Sequence, residues 1–373
     1  MSKAAEVATK DSLKSFLKQN EDHHYNFEEE ITYKVSCGSL KVDFELDGGL
    51  GPGLHRFTGM NEGGKSSEAL EVMKNFLKME NAKGVYIKAE GRLSEEMKQR
   101  CGIDFTYDED SWDEGKCFIF DCNIYETVLD LMRILVAKNP EGTKYCFILD
   151  SLDGLIMKDD LSKGFEDAHK VAGGALLGAK FMQKMSIALA KRGHMAIFIS
   201  QVRADIKLDP YSKAPVRQTT ATGGNALLHF ANYILEFEPR FKKDLILENP
   251  TQPIDQQKNK ILGHIAKITV KKSPNEKTNY TLEYPIKYGR TNGTSIWVEK
   301  EVIDMLYLWG YINKKGAWIS VEQDFLDILK EKKLEFPEKI QGEPKLNTLL
   351  ESDPALTDFL ISHFKELIYR ESK

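Results

Sequence analysis

The stretch from Leu54 to Ser67, LHRFTGMNEGGKSS, carries the residue types that a triphosphate requires. A short β-type run, Leu54 to Thr58, bends at Gly59. It continues through Met60, Asn61, Glu62 and Gly63 to Gly64, Lys65, Ser66 and Ser67, matching G-x-x-x-x-G-K-S/T at every fixed position. Glycines let successive backbone N–H groups turn inward onto phosphates, and the Lys65 ammonium reaches the β- and γ-phosphates. Ser66 has the hydroxyl that ligands Mg²⁺, and a following helix sets its positive end behind the anion. That helix is predicted because Ala69, Leu70, Met73, Phe76 and Leu77 recur at helical spacing. A glycine-rich turn matching by coincidence is the alternative, and the strand before and amphipathic helix after argue against it. The pattern implies a nucleoside triphosphate and Mg²⁺.

Four further features would complete such a site. Asp150 ends the apolar run CFILDS, where an acid can hold Mg²⁺ through water. Glu90 follows the strand-like Gly84 to Ala89, and ligands bind at the carboxyl ends of strands in such sheets, so it is a candidate base for the attacking water. Gln201 follows AIFIS and could sense the γ-phosphate. Lys271 and Lys272, after the run Ile265 to Val270, either bring positive charge to a phosphate or form a solvated charge pair. The segment from Gln201 to Asn225 is long and lacks apolar periodicity, which marks it as functional or disordered. It carries Arg203, Lys207, Lys213 and Arg217 with Tyr211 among them, then Thr222, Gly223, Gly224 and Asn225. Cations beside backbone and hydroxyl donors suit a sugar–phosphate strand read without its bases; a polar loop is the plainer reading.

The elements that must position these residues can be read from composition and periodicity. A chain of 373 residues with 41% apolar and 29% charged residues has the makings of an α/β core with appended pieces. Its formal charge of −5 argues against coating nucleic acid with the whole surface, but a local basic strip survives because screening confines each charge to about 10 Å. The five cysteines form no C-x-x-C pair, which fits buried thiols in a reducing, cytoplasmic compartment. No apolar run is long enough for a membrane span, and MSKAAEVATKDS lacks the apolar core of a secretion signal. From Val35 to about Ile286, β-rich runs alternate with helical stretches, predicting a mainly parallel twisted sheet with crossover helices. Ser94 is a candidate helix cap, and Asn123 with Glu126 resembles a capping box for a helix with Ile124, Val128, Leu131, Met132 and Leu135 on one face. A helix over 174–191 carries Lys180 and Lys184. Strands are expected at 232–237, 265–270 and 280–284, the last two antiparallel, and 242–260 is expected to be a surface excursion. Residues 1–33 form an N-terminal segment whose helix has the small apolar side Leu13, Phe16 and Leu17, needing a partner in its own domain or in a neighbouring subunit. A smaller C-terminal unit begins near Gly289, with a helix from Val302 to Trp309 and a final helix that puts Leu356, Phe359, Leu360, Phe364, Leu367 and Ile368 on one face.

Taken together these residues resemble the RecA family of homologous-recombination ATPases, including the UvsX-type recombinases of phages. The likeness is carried by Cys37-Gly38-Ser39-Leu40-Lys41-Val42-Asp43, by Gly48-Gly49-Leu50 leading to the phosphate loop, and by Ile199-Ser200-Gln201-Val202-Arg203. It continues through TTATGGNALLHFANY and Lys314-Lys315-Gly316-Ala317-Trp318, from about residue 33 to the end. The resemblance implies a RecA-like phosphate-loop core at 34–288 with a small C-terminal α/β domain at 289–373. It implies that Gly59 to Ser66 bind ATP and Mg²⁺, that Asp150 supports the metal, and that Glu90 activates water. Gln201 would couple the nucleotide to a DNA loop, and Lys180 and Lys184 resemble basic positions of the phage proteins. The partners implied are single-stranded DNA, homologous duplex DNA, further copies of the chain in a helical filament, and single-strand-binding and mediator proteins, in a bacterial or phage-infected cytoplasm. The chain departs from the bacterial pattern in having Glu96-Met97 in place of an adenine-stacking tyrosine. It has Ser273-Pro274 after the basic pair, and a longer DNA loop without a Met-Phe tip. Two other readings are a ring-forming or circadian-type ATPase of the same superfamily and a recombinase-like subunit without catalysis.

Overall fold

The computed structural model describes residues 3–91, 93–139, 142–162, 173–203, 220–221, 224–249, 251–255, 257–291 and 293–371. A first helix, α1 (Lys3–Gln19), and a short α2 (Leu40–Glu45) precede β1 (Gly53–Gly59), α3 (Lys65–Phe76) and β2 (Ala82–Lys88). Then come α4 (Glu95–Cys101), β3 (Phe105–Thr106), β4 (Cys117–Asp121), α5 (Tyr125–Ala137) and β5 (Lys144–Asp150). The chain continues through α6 (Gly173–Lys191), β6 (Met195–Arg203), β7 (Thr220–Ala221), α7 (Gly224–Phe230) and β8 (Tyr233–Phe237). Short β9 (Leu245–Leu247) and the antiparallel pair β10 (Ile261–Lys272) and β11 (Tyr280–Lys287) close the main sheet.

The sheet runs β11-β10-β8-β1-β6-β5-β2-β4-β3, parallel from β8 to β3, so the alternation of apolar runs and helices produces the mostly parallel α/β architecture that it predicts. Every residue of β1 is buried, as expected for a central strand covered on both faces. On one face Phe57, Ile197 and Ile199 pack with Ala69, Met73 and Phe76 of α3. On the other, Leu54, Ala196 and Phe198 pack with Val128 and Met132 of α5 and Met185 and Leu189 of α6. At the β11 edge the Pro285 carbonyl accepts the Trp297 N–H at 2.8 Å, and the Lys287 N–H donates to the Ser295 carbonyl at 2.9 Å.

Local signals fared unevenly. Ser94 caps α4, its hydroxyl accepting the Met97 N–H at 3.2 Å. The capping box proposed for α5 does not form: Ile124 occupies the cap, and the Glu126 carboxylate instead accepts the Lys158 N–H at 2.9 Å. The buried side of α5 is Tyr125, Val128, Leu129, Met132 and Val136, rotated from the expected face, with Leu131 and Leu135 only half-buried. Within the excursion 242–260, Asn259 is buried and its side-chain amide donates to the carbonyls of Asn249, Gln252 and Pro253, each at 3.0 Å.

Beyond residue 289, α8 (Val298–Leu308), the antiparallel sheet β12 (Ile312–Lys315), β13 (Trp318–Val321) and β14 (Lys339–Gln341), and helices α9 (Gln323–Glu331), α10 (Gly342–Ser352) and α11 (Pro354–Glu371) share a separate apolar cluster. Helix α8 starts earlier than expected, and Leu356, Leu360, Phe364 and Ile368 of α11 are its buried apolar positions. Leu40 of α2 joins this cluster. Fully buried Glu301 of α8 accepts the Leu40 N–H at 3.0 Å and the Ser39 hydroxyl, so α8 caps α2. At the other end of the chain, the acidic run packs on its own domain: Glu28 pairs with Arg192 at 2.8 Å and the Ile31 N–H donates to the Lys191 carbonyl. Leu13 and Phe16 of α1 remain 58% and 60% exposed. Among the described residues no helix is long and apolar enough to cross a membrane.

Candidate nucleotide-binding site

Strand β1 delivers the phosphate loop between two parallel neighbours. Gly59 lies in register with Gln201 of β6 on one side and Phe237 of β8 on the other. A Cβ at Gly59 would run into the Phe237 carbonyl, and Gly64 caps α3 at φ +100°, a left-handed conformation that costs glycine little. The motif glycines are therefore required by backbone geometry at both ends of the loop. Lys65 is 8% exposed, and its ammonium donates to the Gly59 and Met60 carbonyls at 3.0 and 2.6 Å, which fixes it at the mouth of the loop.

Behind the loop the Ser66 hydroxyl and the Tyr86 hydroxyl both donate to one oxygen of Asp150, each at 2.6 Å. A hydroxyl and a carboxylate at a helix N-terminus are the donors that Mg²⁺ accepts while keeping most of its waters, so the residues present fit that ion. Among the described residues no group of three or more His, Cys, Asp or Glu is placed to hold a metal ion. Burial, and then the charge of Asp150, hold the Tyr86 phenol far above its ordinary range, so it stays a donor at any working pH.

The carboxyl ends of the strands converge on a cleft of about 330 Å³ lined by Asn61, Glu62, Gly64, Lys65, Ser66, Ser67, Glu90, Asp150, Ser151 and Gln201. Glu90 accepts a hydrogen bond from the Ser151 hydroxyl. The Gln201 backbone N–H donates to Asp153 at 2.6 Å. The proposed base, the proposed metal acid, Lys65 and the proposed sensor thus meet in one place. A second cavity of about 700 Å³ adjoins the loop and is lined by Glu96, Met97, Arg100, Tyr284 and Tyr288 among others, so the Glu96-Met97 departure faces space beside the phosphate loop.

Sequence reasoning missed three contributors. Tyr86 sits inside a strand and reads as core. Asp153 reads as a loop acid. Arg240 lines both cavities, and its guanidinium donates to the Tyr288 hydroxyl at 3.2 Å. Its position just past β8, a neighbour of the phosphate-loop strand, is the signal that could have found it.

Lys271 and Lys272 stand apart from this cleft. Lys272 pairs across the sheet with Ile234, near the start of β8, whereas the phosphate loop adjoins Phe237 at its end. Lys271 is paired with Glu236 at 3.4 Å, and the Lys272 ammonium donates to the Leu228 and His229 carbonyls at the end of α7. Neither lysine lines either cavity beside the phosphate loop.

Of the candidate DNA residues, Lys180 and Lys184 are exposed on α6. Arg203 ends β6, where its backbone pairs antiparallel with Thr220 of β7, and Gly224 and Asn225 open α7. Lys207, Lys213, Arg217, Thr222 and Gly223 lie outside the described residues. The backbone therefore leaves the cleft one residue past Gln201 and returns alongside itself before α7, which packs on α6.

Residues 4–289 match the RecA N-terminal domain family. The chain is similar to Protein RecA of Bifidobacterium breve, 27% identical over 326 residues that cover 87% of this chain and 71% of the relative. It is similar also to Protein RecA of Chloroherpeton thalassium, 26% identical over 336 residues covering 89% and 80% respectively. Protein RecA of Pseudomonas savastanoi pv. phaseolicola is 25% identical over 290 residues, 77% of this chain and 72% of that one. With the family match spanning most of its length, and the phosphate loop, strand-end acids and Gln201 disposed around one cleft, the chain belongs to the RecA family.

Proposed function

We propose that the chain is an ATP-dependent recombinase that assembles as a filament on single-stranded DNA and pairs it with homologous duplex. The observation that carries this reading is the position of Gln201. Its backbone is in register with the first residue of the phosphate loop, and the next residues enter the segment assigned to DNA. In this reading Gly59 to Ser67 cradle the triphosphate, Lys65 neutralises its β- and γ-oxygens, and Ser66 and Asp150 hold Mg²⁺. The metal supplies charge neutralisation on the phosphates when bound. Glu90 takes the proton of the attacking water, with the Ser151 hydroxyl orienting its carboxylate. The Gln201 amide donates to a γ-phosphate oxygen and loses that partner on hydrolysis, giving the adjoining segment two positions biased by nucleotide. Lys180, Lys184, Arg203 and the cations of 204–219 track the sugar–phosphate strand, while Lys271 and Lys272, remote from their own cleft, act on a neighbouring subunit's phosphates. Polymerisation draws on residues 1–33 and the partner proteins named above.

The test is fluorescence anisotropy of a labelled oligonucleotide with an ATP analogue and with ADP. ATP should tighten binding by about 1–3 kcal/mol, and DNA should tighten ATP binding by the same factor. Affinity should fall steeply with salt and vary little with base sequence. Lys65→Ala should lose hydrolysis and most nucleotide binding. Absence of single-stranded DNA binding in both nucleotide states would overturn the reading. Rings in place of filaments in negative-stain images would favour the ring ATPase, and DNA binding without ATP hydrolysis the non-catalytic subunit.

A further inference from the structure

The turn Leu152–Gly154, directly after the metal acid, touches each moving part of the proposed cycle. Strands β5 and β6 pair only as far as Leu149 with Phe198, so Asp150 and Gln201 lie beyond the last rung, where the two strand ends are no longer tied by the ladder. The turn spans that gap. Ser151 donates to Glu90 on one side. Asp153 accepts the Gln201 N–H at 2.6 Å on the other. A Cβ on Gly154 would press on the Glu90 side chain and the Ala89 carbonyl, so the turn is tightly seated.

Beneath it lies Arg56, 1% exposed, on the same strand face as Leu54. Its Nε donates to the Ser200 hydroxyl at 3.1 Å. Burial lowers the guanidinium to about 10, while the charge of Asp153 acts in the opposite direction. A buried arginine needs an anion nearby, and the charge of Asp153 acts on Arg56 in that sense. Successive residues of β6 are thereby fixed from opposite sides, Ser200 by Arg56 and the Gln201 backbone by Asp153.

We propose that Asp153, backed by Arg56, is a positioning residue: its carboxylate clamps the Gln201 backbone, so that the turn following the metal acid and the strand entering the DNA segment move as one body. The proposal rests on the assignment of Gln201 as nucleotide sensor. Neither Asp153 nor Arg56 touches substrate in this scheme; they determine whether the nucleotide state is transmitted.

The experiment compares oligonucleotide affinity with ATP analogue and with ADP in the full chain. Wild type should show a preference of about 5- to 150-fold for the ATP state. In Asp153→Ala that ratio should fall to within about twofold of unity, because the clamp and not the site is lost. A residue with a merely structural role would weaken both states together and leave the ratio intact. Asp153→Asn keeps an acceptor for the N–H and should retain most of the preference. Should Asp153→Ala fail to fold, the charge-balanced pair Arg56→Met with Asp153→Leu makes the same test without a stranded buried charge. A wild-type ratio preserved in the clamp-free variant overturns the proposal and leaves the sensor role of Gln201 standing. A wild type with no nucleotide preference overturns both.

Discussion

Glu90 and Asp150 are both strand-end acids, and the different work proposed for them goes with different hydrogen bonds. Asp150 receives two hydroxyls on one oxygen, an arrangement that orients a carboxylate toward a cation. Glu90 receives the Ser151 hydroxyl and lines the cleft beside Gln201, where the proposed attacking water would stand. Glu90→Gln should therefore keep ATP affinity while hydrolysis falls by roughly 10²-fold or more, the scale of a lost general base. Single-turnover hydrolysis alongside analogue binding checks this, and unchanged hydrolysis would make Glu90 a bystander. The phosphate loop and both acids were legible because each is a local pattern, with chemistry written in adjacent residues. Tyr86 on Asp150 and Asp153 on Gln201 were not, because these contacts join positions 64 and 48 residues apart. Only the strand order β1-β6-β5-β2 brings those residues together, and no periodicity within one segment encodes it.

At the scale of elements, apolar periodicity located the strands and helices well, and failed where a tertiary contact competed with a local one. Glu126 is the clearest case: in an isolated helix it would serve a capping box, but the backbone of Lys158 claims its carboxylate. The face of α5 rotated for a related reason, since its contacts with the sheet and α6 and not its own spacing alone decide which residues are covered. Helix α1 shows the converse. Its neighbouring segment is tied down through Glu28 and Tyr33, whose hydroxyl donates to the Gly193 carbonyl at 3.0 Å, while Leu13 and Phe16 are left exposed. A helix with so small an apolar side is marginal until it finds a partner. Substituting Leu13→Ser and Phe16→Ser together should shorten oligomers and leave nucleotide affinity of the subunit within about twofold of wild type. Light scattering and negative-stain images at matched concentration check it; filaments of normal length would show that α1 does not serve assembly.

For the molecule as a whole, the C-terminal cluster is joined to the segment preceding the phosphate loop by a buried acid. Glu301 is raised to about 8 by burial, against the opposing pull of the Ser39 hydroxyl and the Leu40 N–H. Below pH 4.5, the ordinary carboxylate value, folded and unfolded chains both carry the proton and this group has no effect. Between there and about pH 8 the unfolded chain gives up the proton and the folded chain keeps it, so stability falls as pH rises, by up to about 1.4 kcal/mol per pH unit. Glu301→Gln should remove that contribution, and its denaturation midpoint relative to wild type should climb across this window. A difference constant with pH would refute it. The outer strand of the main sheet has a consequence of another kind. The Pro285 carbonyl faces outward to Trp297, so the proline's missing N–H falls on that same open side, and the Lys287 N–H there is already taken by Ser295. If copies of the chain stack as proposed, an unblunted outer strand would invite them to zip edge to edge. With one outward donor missing at Pro285 and another occupied at Lys287, this end of β11 makes edge-to-edge aggregation costly and, in the proposed filament, leaves self-association to other surfaces.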